Sequence, residues 1–175
     1  ILLDAGSCPG VEGRAGLPLY SQVADQDVDA IAISHCHQDH CGSLPVALRH
    51  FPQARVLMTE PSYFLIERVL HNSVNVMKRQ RLERNIPEYP LFHHREVDEF
   101  SYLFQGFKYR KAEPWSPGTP DEPAPTVSFH PAGHVLGSAG LRVAHGRESL
   151  FYTGDVCFHD QTLSPKAVFS DTQSD

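Results

Sequence analysis

Short apolar runs that stop on a polar or glycine position, broken by one long amphipathic stretch, set the pattern of this chain. Ile1-Leu2-Leu3 reads as a buried strand ending at Asp4-Ala5-Gly6, and the glycine-rich stretch to Gly16 reads as loop. Val28 to Ser34 carries alanine and isoleucine on both faces, as a strand covered on both sides does. Gly42 to His50 fits a short helix with Pro45 in its first turn, and Ala54 to Met58 fits another strand. Thr59-Glu60-Pro61 is a helix start with proline near the first helical position. From there Phe64, Leu65, Val69, Leu70, Val74, Val76 and Met77 recur at helical spacing and carry the helix to about Arg84. A further helix is expected over Arg95 to Phe104 and a strand over Phe107 to Arg110. Pro114, Pro117, Pro120, Pro123 and Pro125 make a stiff exposed loop. The strands Val127 to His130, Leu141 to Ala144 and Ser149 to Thr153 follow, the last two joined by a hairpin at His145-Gly146-Arg147-Glu148. Strands and helices therefore alternate early, and strands dominate late.

The chain has 175 residues, 41% of them hydrophobic, enough for one domain with a real core. No apolar run approaches the roughly 20 residues needed to span a membrane as a helix. The opening Ile1-Leu2-Leu3-Asp4 looks like the inside of a strand, so the natural N-terminus is expected upstream. A net charge of −6 disfavours a broad basic nucleic-acid surface, although two divalent cations would offset most of it. Cys8, Cys36, Cys41 and Cys157 contain no Cys-x-x-Cys pair and read as free thiols in a reducing cytoplasm. Cys36 and Cys41 flank ligand candidates, and small half-buried side chains are the simpler reading of both.

Candidate chemistry concentrates in His35-Cys36-His37-Gln38-Asp39-His40, three imidazoles and a carboxylate directly after a strand. Imidazole and carboxylate are the common ligands of zinc and its neighbours. In an extended segment His35 and His37 project to one side and can grip one ion. Asp39 and His40 lie where the chain turns toward a helix and can aim at a second. Three more strands end on a residue able to ligate: Asp4, His134 in Pro131-Ala132-Gly133-His134, and Asp155 in Tyr152-Thr153-Gly154-Asp155. His93-His94 reads as a pair of exposed loop histidines. His50, His71, His130, His145 and His159 have no partner pattern, with His159 notable for its nearness to Asp155. The run Lys78-Arg79-Gln80-Arg81-Leu82-Glu83-Arg84 is a solvated helix face or a contact to an RNA backbone.

Asp4, His35-x-His37-x-Asp39-His40, His134 and Asp155, in that order, resemble the first four motifs of the metallo-β-lactamase superfamily. His40-Cys41-Gly42-Ser43-Leu44-Pro45, Met58-Thr59-Glu60-Pro61, Ala132-Gly133-His134-Val135-Leu136-Gly137-Ser138-Ala139 and Tyr152-Thr153-Gly154-Asp155 further resemble its β-CASP RNA-processing branch. That branch includes RNase J-like enzymes and the endonuclease of the cleavage and polyadenylation factor. The resemblance implies an α/β (α+β) fold, the αβ/βα sandwich of two mixed sheets face to face with helices outside. It implies one zinc held by His35, His37 and His134, a second by Asp39 and His40, and Asp155 between them. Asp4 would orient the histidine loop by hydrogen bonds. The same donors accept Mn2+ or Fe2+.

The implied activity is a dinuclear-zinc phosphodiesterase or ribonuclease using a metal-bridging hydroxide on single-stranded RNA, with Asp39 as the catalytic carboxylate that orients it. Family members carry a further histidine beyond Asp155, and the β-CASP branch a cap domain; His159 stands too close to Asp155 to be that histidine. Residues 1–175 are thus expected to be the first part of the domain, incomplete at the second metal and inactive alone. Two other readings stand beside this one. A metal hydrolase of a small ester or thioester would lack the cap domain. An inactive scaffold subunit of an RNA-processing complex would lose ligand positions. Partners implied are RNA and either a second copy or an RNA-processing complex, in the cytoplasm or, in a eukaryote, the nucleus.

Overall fold

A computed structural model describes residues 1–118 and 123–169. Two four-stranded sheets lie face to face. The first is parallel, in the order β1 (Leu2–Leu3), β2 (Ala30–Ala32), β3 (Arg55–Thr59), β4 (Phe104–Phe107). The second is antiparallel, in the order β5 (Glu113–Pro114), β6 (Thr126–Pro131), β7 (Ala139–His145), β8 (Glu148–Tyr152). Helices α1 (Gln38–Cys41), α2 (Leu44–His50), α3 (Glu60–Glu83) and α4 (His94–Phe100) make the crossovers of the parallel half. Each sheet is of one kind, where the sequence led us to expect two mixed sheets. The early alternation of strand and helix builds the parallel sheet and the later hairpins build the antiparallel one.

Side-chain alternation explains the layers. Ile31 and Ile33 on β2 and its end, with Val56 and Met58 on β3, join the core beneath the helices. Ala30, Ala32 and Leu57, facing the other way, meet Val127, Phe129 and Leu141 of the second sheet. All ten are fully buried. Small alanines on the inner face let the second sheet approach closely, while the branched residues fill the space under α2 and α3.

Most expected elements occur with boundaries a residue or two away. The exception is the segment after α4. A helix over Arg95 to Phe104 and a strand over Phe107 to Arg110 were expected; α4 instead ends at Phe100, a 3-10 turn covers Ser101–Leu103, and the strand is Phe104–Phe107. Phe100, Leu103 and Phe104 sustain a helical period, but pairing Phe104 to Phe107 with Val56 to Thr59 satisfies the free edge of β3. Backbone pairing overrides local periodicity here. The proline-rich stretch is loop in its described part, except that Pro114 closes the short β5; Pro120 lies outside the described residues.

One tie holds the end of β3 to the second sheet. Thr59 caps α3 by accepting from Ser62 N–H, and its Oγ1 donates to Gly137 O at 2.7 Å. Ser62 Oγ donates to the same carbonyl at 3.1 Å. Thr59 is fully buried, so Thr59→Val leaves the Ser62 N–H without its cap and the Gly137 carbonyl with Ser62 Oγ as its remaining side-chain donor. We expect it to lower unfolding free energy by about 1–3 kcal/mol in urea titration. Thr59→Ser, keeping the hydroxyl, should lose less than half as much.

Candidate metal centre

The parallel strands deliver their C-terminal ends to one edge, as open α/β sheets do. β1 ends at Asp4, whose backbone turns through φ 63°, a left-handed conformation that Asp tolerates better than most residues. The turn sends the chain across α1: Ala5 N–H donates to His40 O at 2.8 Å and Ser7 N–H to Gln38 O at 3.0 Å. The approach is so close that a Cβ on Gly6 would sit 1.7 Å from Asp39 O, so only glycine fits. α1 is thus held at one height above the sheet, and with it Asp39 and His40.

The Asp4 carboxylate is the hub. Its Oδ1 accepts from Ser34 N–H at 2.7 Å. Its Oδ2 accepts from Ser34 Oγ at 2.8 Å, His40 Nδ1 at 2.7 Å and Tyr152 Oη at 2.8 Å. Those bonds decide tautomers. His40 spends its Nδ1–H on Asp4, which leaves Nε2 bare. Ser34 Oγ, its hydrogen given to Asp4, accepts from His35 Nδ1 at 3.1 Å, which leaves His35 Nε2 bare as well. The arrangement of histidine, hydroxyl and carboxylate is that found behind metal-ligating imidazoles.

The donor atoms of the site converge. His35 Nε2 lies 3.0 Å from His37 Nδ1, and His134 Nε2 lies 3.2 Å from the same atom. Asp155 Oδ2 lies 3.4 Å from His134 Nε2. One donor atom from each of His35, His37, His134 and Asp155 falls within 4.8 Å of all the others. Three imidazoles and a carboxylate gathered this closely are a donor set that suits zinc. Next to this group, His40 Nε2 faces Asp39 Oδ2 at 3.7 Å and Asp155 Oδ1 at 3.5 Å. The two oxygens of Asp155 therefore reach both groups. Gly154, at φ 55°, brings that carboxylate in; a Cβ there would press on Ser34 Cβ at 3.0 Å.

All seven residues singled out in the sequence lie in this one place, and His159 is exposed outside it. His35 is fully buried, and burial, with the neighbouring His40 and His37, pushes its pKa down to about 4. The hydrogen bond to Asp4 raises that of His40 against the opposing effect of burial. Ser34 and Tyr152 were not anticipated as part of the site. Ser34 directly precedes the histidine cluster and Tyr152 opens the Tyr152-Thr153-Gly154-Asp155 run, but their shared partner, Asp4, is visible only in the fold. Burial, then the Asp4 charge and hydrogen bond, raise the Tyr152 phenol well above its ordinary value, so it stays a donor. The cysteines point elsewhere: Cys36 Sγ lies 3.5 Å from Ser62 O, and Cys41 is fully buried in the core under the helices.

A family model described as the metallo-beta-lactamase superfamily matches residues 1–168. Endoribonuclease YSH1 of Gibberella zeae is 31% identical over 156 residues, 89% of this chain and 18% of that protein. Transcription termination factor FttA of Methanocaldococcus jannaschii is 28% identical over 176 residues, 96% of this chain and 25% of that protein. The chain thus spans a quarter or less of the length of these relatives. Among solved structures, AidC, a dizinc quorum-quenching lactonase in complex with a product, superposes with TM-score 0.48 at 19% identity over 86% of this chain and 50% of that one.

Two outcomes are expected. Asp4→Asn keeps the side-chain shape and tolerates the positive φ, but removes the carboxylate that fixes His35 and His40. Zinc affinity, measured by competition with a chromogenic chelator, should fall about 10–100-fold while the circular dichroism spectrum is kept; unchanged affinity would refute the positioning role. Burial raises the Cys36 thiol to about 11 and holds Cys41 well above the ordinary thiol value. At pH 8 roughly a thousandth of Cys36 is thiolate, so iodoacetamide should label exposed Cys8 first and leave Cys36 and Cys41 unlabelled until the protein unfolds.

Proposed function

The chain belongs to the metallo-β-lactamase superfamily of hydrolases, and from that premise we propose that it is the metal-binding part of a β-CASP-type ribonuclease acting on single-stranded RNA. The observation that carries the two-metal reading is the reach of Asp155. One of its oxygens faces His134 at 3.4 Å and the other faces His40 at 3.5 Å. A carboxylate so placed would be available to a cation at either group. The choice of RNA rests on the relatives, an endoribonuclease and a transcription termination factor.

In this reading His35, His37 and His134 would hold one zinc, Asp39 and His40 the other, and Asp155 both. Bound divalent metal lowers the pKa of coordinated water and neutralises charge building on phosphoryl oxygens. The remaining work falls to the chain. The Asp4 carboxylate, only 8% exposed, holds Nδ1 of His40 directly and that of His35 through Ser34, so that Nε2 of each ring is the nitrogen aimed at the site. Asp39, 42% exposed, has an oxygen to accept a hydrogen bond from the attacking water and orient it. It also lines a cavity of about 560 Å³ between α3 and the loop after β1, where Gln38, Asn72, Gln80 and Arg84 offer amide and guanidinium donors to a polynucleotide. With a net charge of −6, attraction of the phosphate backbone depends on the metals and on such local donors, including the Lys78–Arg84 face. The four free cysteines support a reducing compartment, the cytoplasm or nucleus. An RNA-processing complex or a second copy would be the protein partner.

The test uses the complete gene product with its metals. Wild type should hold about two zinc ions per chain by mass spectrometry and cleave unstructured RNA, while leaving lactones and thioesters intact. His37→Ala should lose zinc and lower RNA cleavage by more than about 100-fold, beyond what loss of an outer-shell partner produces. Survival of both zinc content and phosphodiesterase activity in His37→Ala would overturn the assignment, and efficient thioester or lactone hydrolysis would redirect it to small esters.

A further inference from the structure

His134 lacks the support that fixes the aim of its neighbours. His40 rests its Nδ1 on Asp4, and His35 rests its own on Ser34. His134 turns Nε2 toward His37 and Asp155, and among the described residues no hydrogen bond reaches its Nδ1. Its direction therefore comes from its backbone, in the loop between β6 and β7. Ser138 holds that loop from inside. Its Oγ accepts from the N–H groups of His134 and Val135, both at 3.1 Å, and the residue is buried.

The outer side is covered by the segment that follows Asp155. Cys157 N–H donates to Ala132 O at 2.9 Å and Ala167 N–H to Cys157 O at 2.8 Å. Residues 157–167 thus form a loop whose two ends meet against Ala132 and Gly133. The packing there is tight: a Cβ on Gly133, at φ 71°, would stand 2.5 Å from Cys157 O and 2.6 Å from Ala167 N. Within the loop Gln161 N–H donates to Ser164 O at 2.9 Å, and Lys166 N–H donates to Asp160 Oδ1 at 3.0 Å. These bonds hold Gln161 over the His134 turn. Its Nε2 donates to Gly133 O at 2.9 Å and to His134 O at 3.1 Å. Both oxygens only accept, so the amide nitrogen faces them and each of its two hydrogens has a carbonyl.

We propose that Gln161 is a positioning residue for His134: the loop after Asp155 closes over the turn of a second ligand and fixes its backbone from outside, as Ser138 does from inside. That role presupposes the metal centre formed by His35, His37, His134 and Asp155. One segment then serves two ligands, since Asp155 leads into the loop and Gln161 grips His134. Groups behind a metal ligand hold it at the geometry the ion demands, and losing one weakens binding without removing a donor. Leucine at this position has similar bulk and no donor, so Gln161→Leu isolates the two hydrogen bonds.

The experiment uses the complete gene product as wild type, Gln161→Leu and Thr162→Val, the last a neighbour on the same loop whose side chain enters none of these bonds. Zinc affinity, measured by competition with a chromogenic chelator, should fall about 10-fold in Gln161→Leu and keep its wild-type value in Thr162→Val. With cobalt in place of zinc, the visible absorption band, which reports coordination geometry, should shift in Gln161→Leu alone. A lower urea midpoint in Gln161→Leu with affinity and cobalt spectrum unchanged would mean that the amide holds only the loop, and would overturn the proposal. Equal losses of affinity in both variants would overturn it as well. RNA cleavage has no part in these readouts, so failure of the ribonuclease reading leaves them intact. Wild type that binds no zinc would overturn the metal centre itself and this role with it.

Discussion

The carboxylate of Asp4 is the interaction on which the candidate site depends. It accepts from the backbone and hydroxyl of Ser34, from His40 and from Tyr152, which joins the end of β1 to the end of β2, to α1 and to β8. A buried carboxylate is costly unless its oxygens are fully hydrogen-bonded, and four donors meet that demand. The consequence is directional. Because each donor is spent on Asp4 or on Ser34, the opposite faces of His35 and His40 are left as bare nitrogens turned outward. Remove the carboxylate, and Nδ1 of His40 keeps only the longer contact to Ser34 Oγ, at 3.3 Å.

The sheet explains why this is possible at one edge of the molecule. Parallel strands end together, so β1 and β2 release Asp4 and the histidine loop side by side, and β3 releases Thr59 next to them. The antiparallel half reaches the same edge through the loop after β6, which carries His134, and the end of β8, which precedes Asp155. Thr59 and Ser62 grip Gly137 across the gap, and Ala139 N–H donates to Ser34 O at 2.9 Å. The two sheets are therefore locked to each other at the place where their ligand candidates meet, which is the rigidity a metal site needs.

Much of the fold could be read in the chain. The strands at Ile1, Val28 and Ala54, the long helix capped by Thr59 and the closing hairpin follow from period and capping alone. The segment after α4 could not, because its helical period is local while its strand pairing with β3 depends on residues some fifty positions earlier. His71 and His94 each look isolated in sequence, and only the packing of α4 on α3 brings their Nδ1 atoms to 2.8 Å. Ser34 and Tyr152 show the limit most clearly, since a serine after a strand and a tyrosine at a strand end have many ordinary explanations.

The sequence by itself determined the donor groups and their order: Asp4, the four ligand candidates between His35 and His40, then His134 and Asp155, each at a strand end where a short loop can hold it. Spacing within six residues could pair His35 with His37 but could not say what stands opposite them. Tertiary structure decided that His134 comes within 3.2 Å of His37 across 97 residues, and that Tyr152 reaches Asp4 across 148. It also decided that Nδ1 of His40 meets Asp4 and Nδ1 of His35 meets Ser34. Those are properties of contacts between distant segments, and a local pattern carries no information about them until the two sheets close.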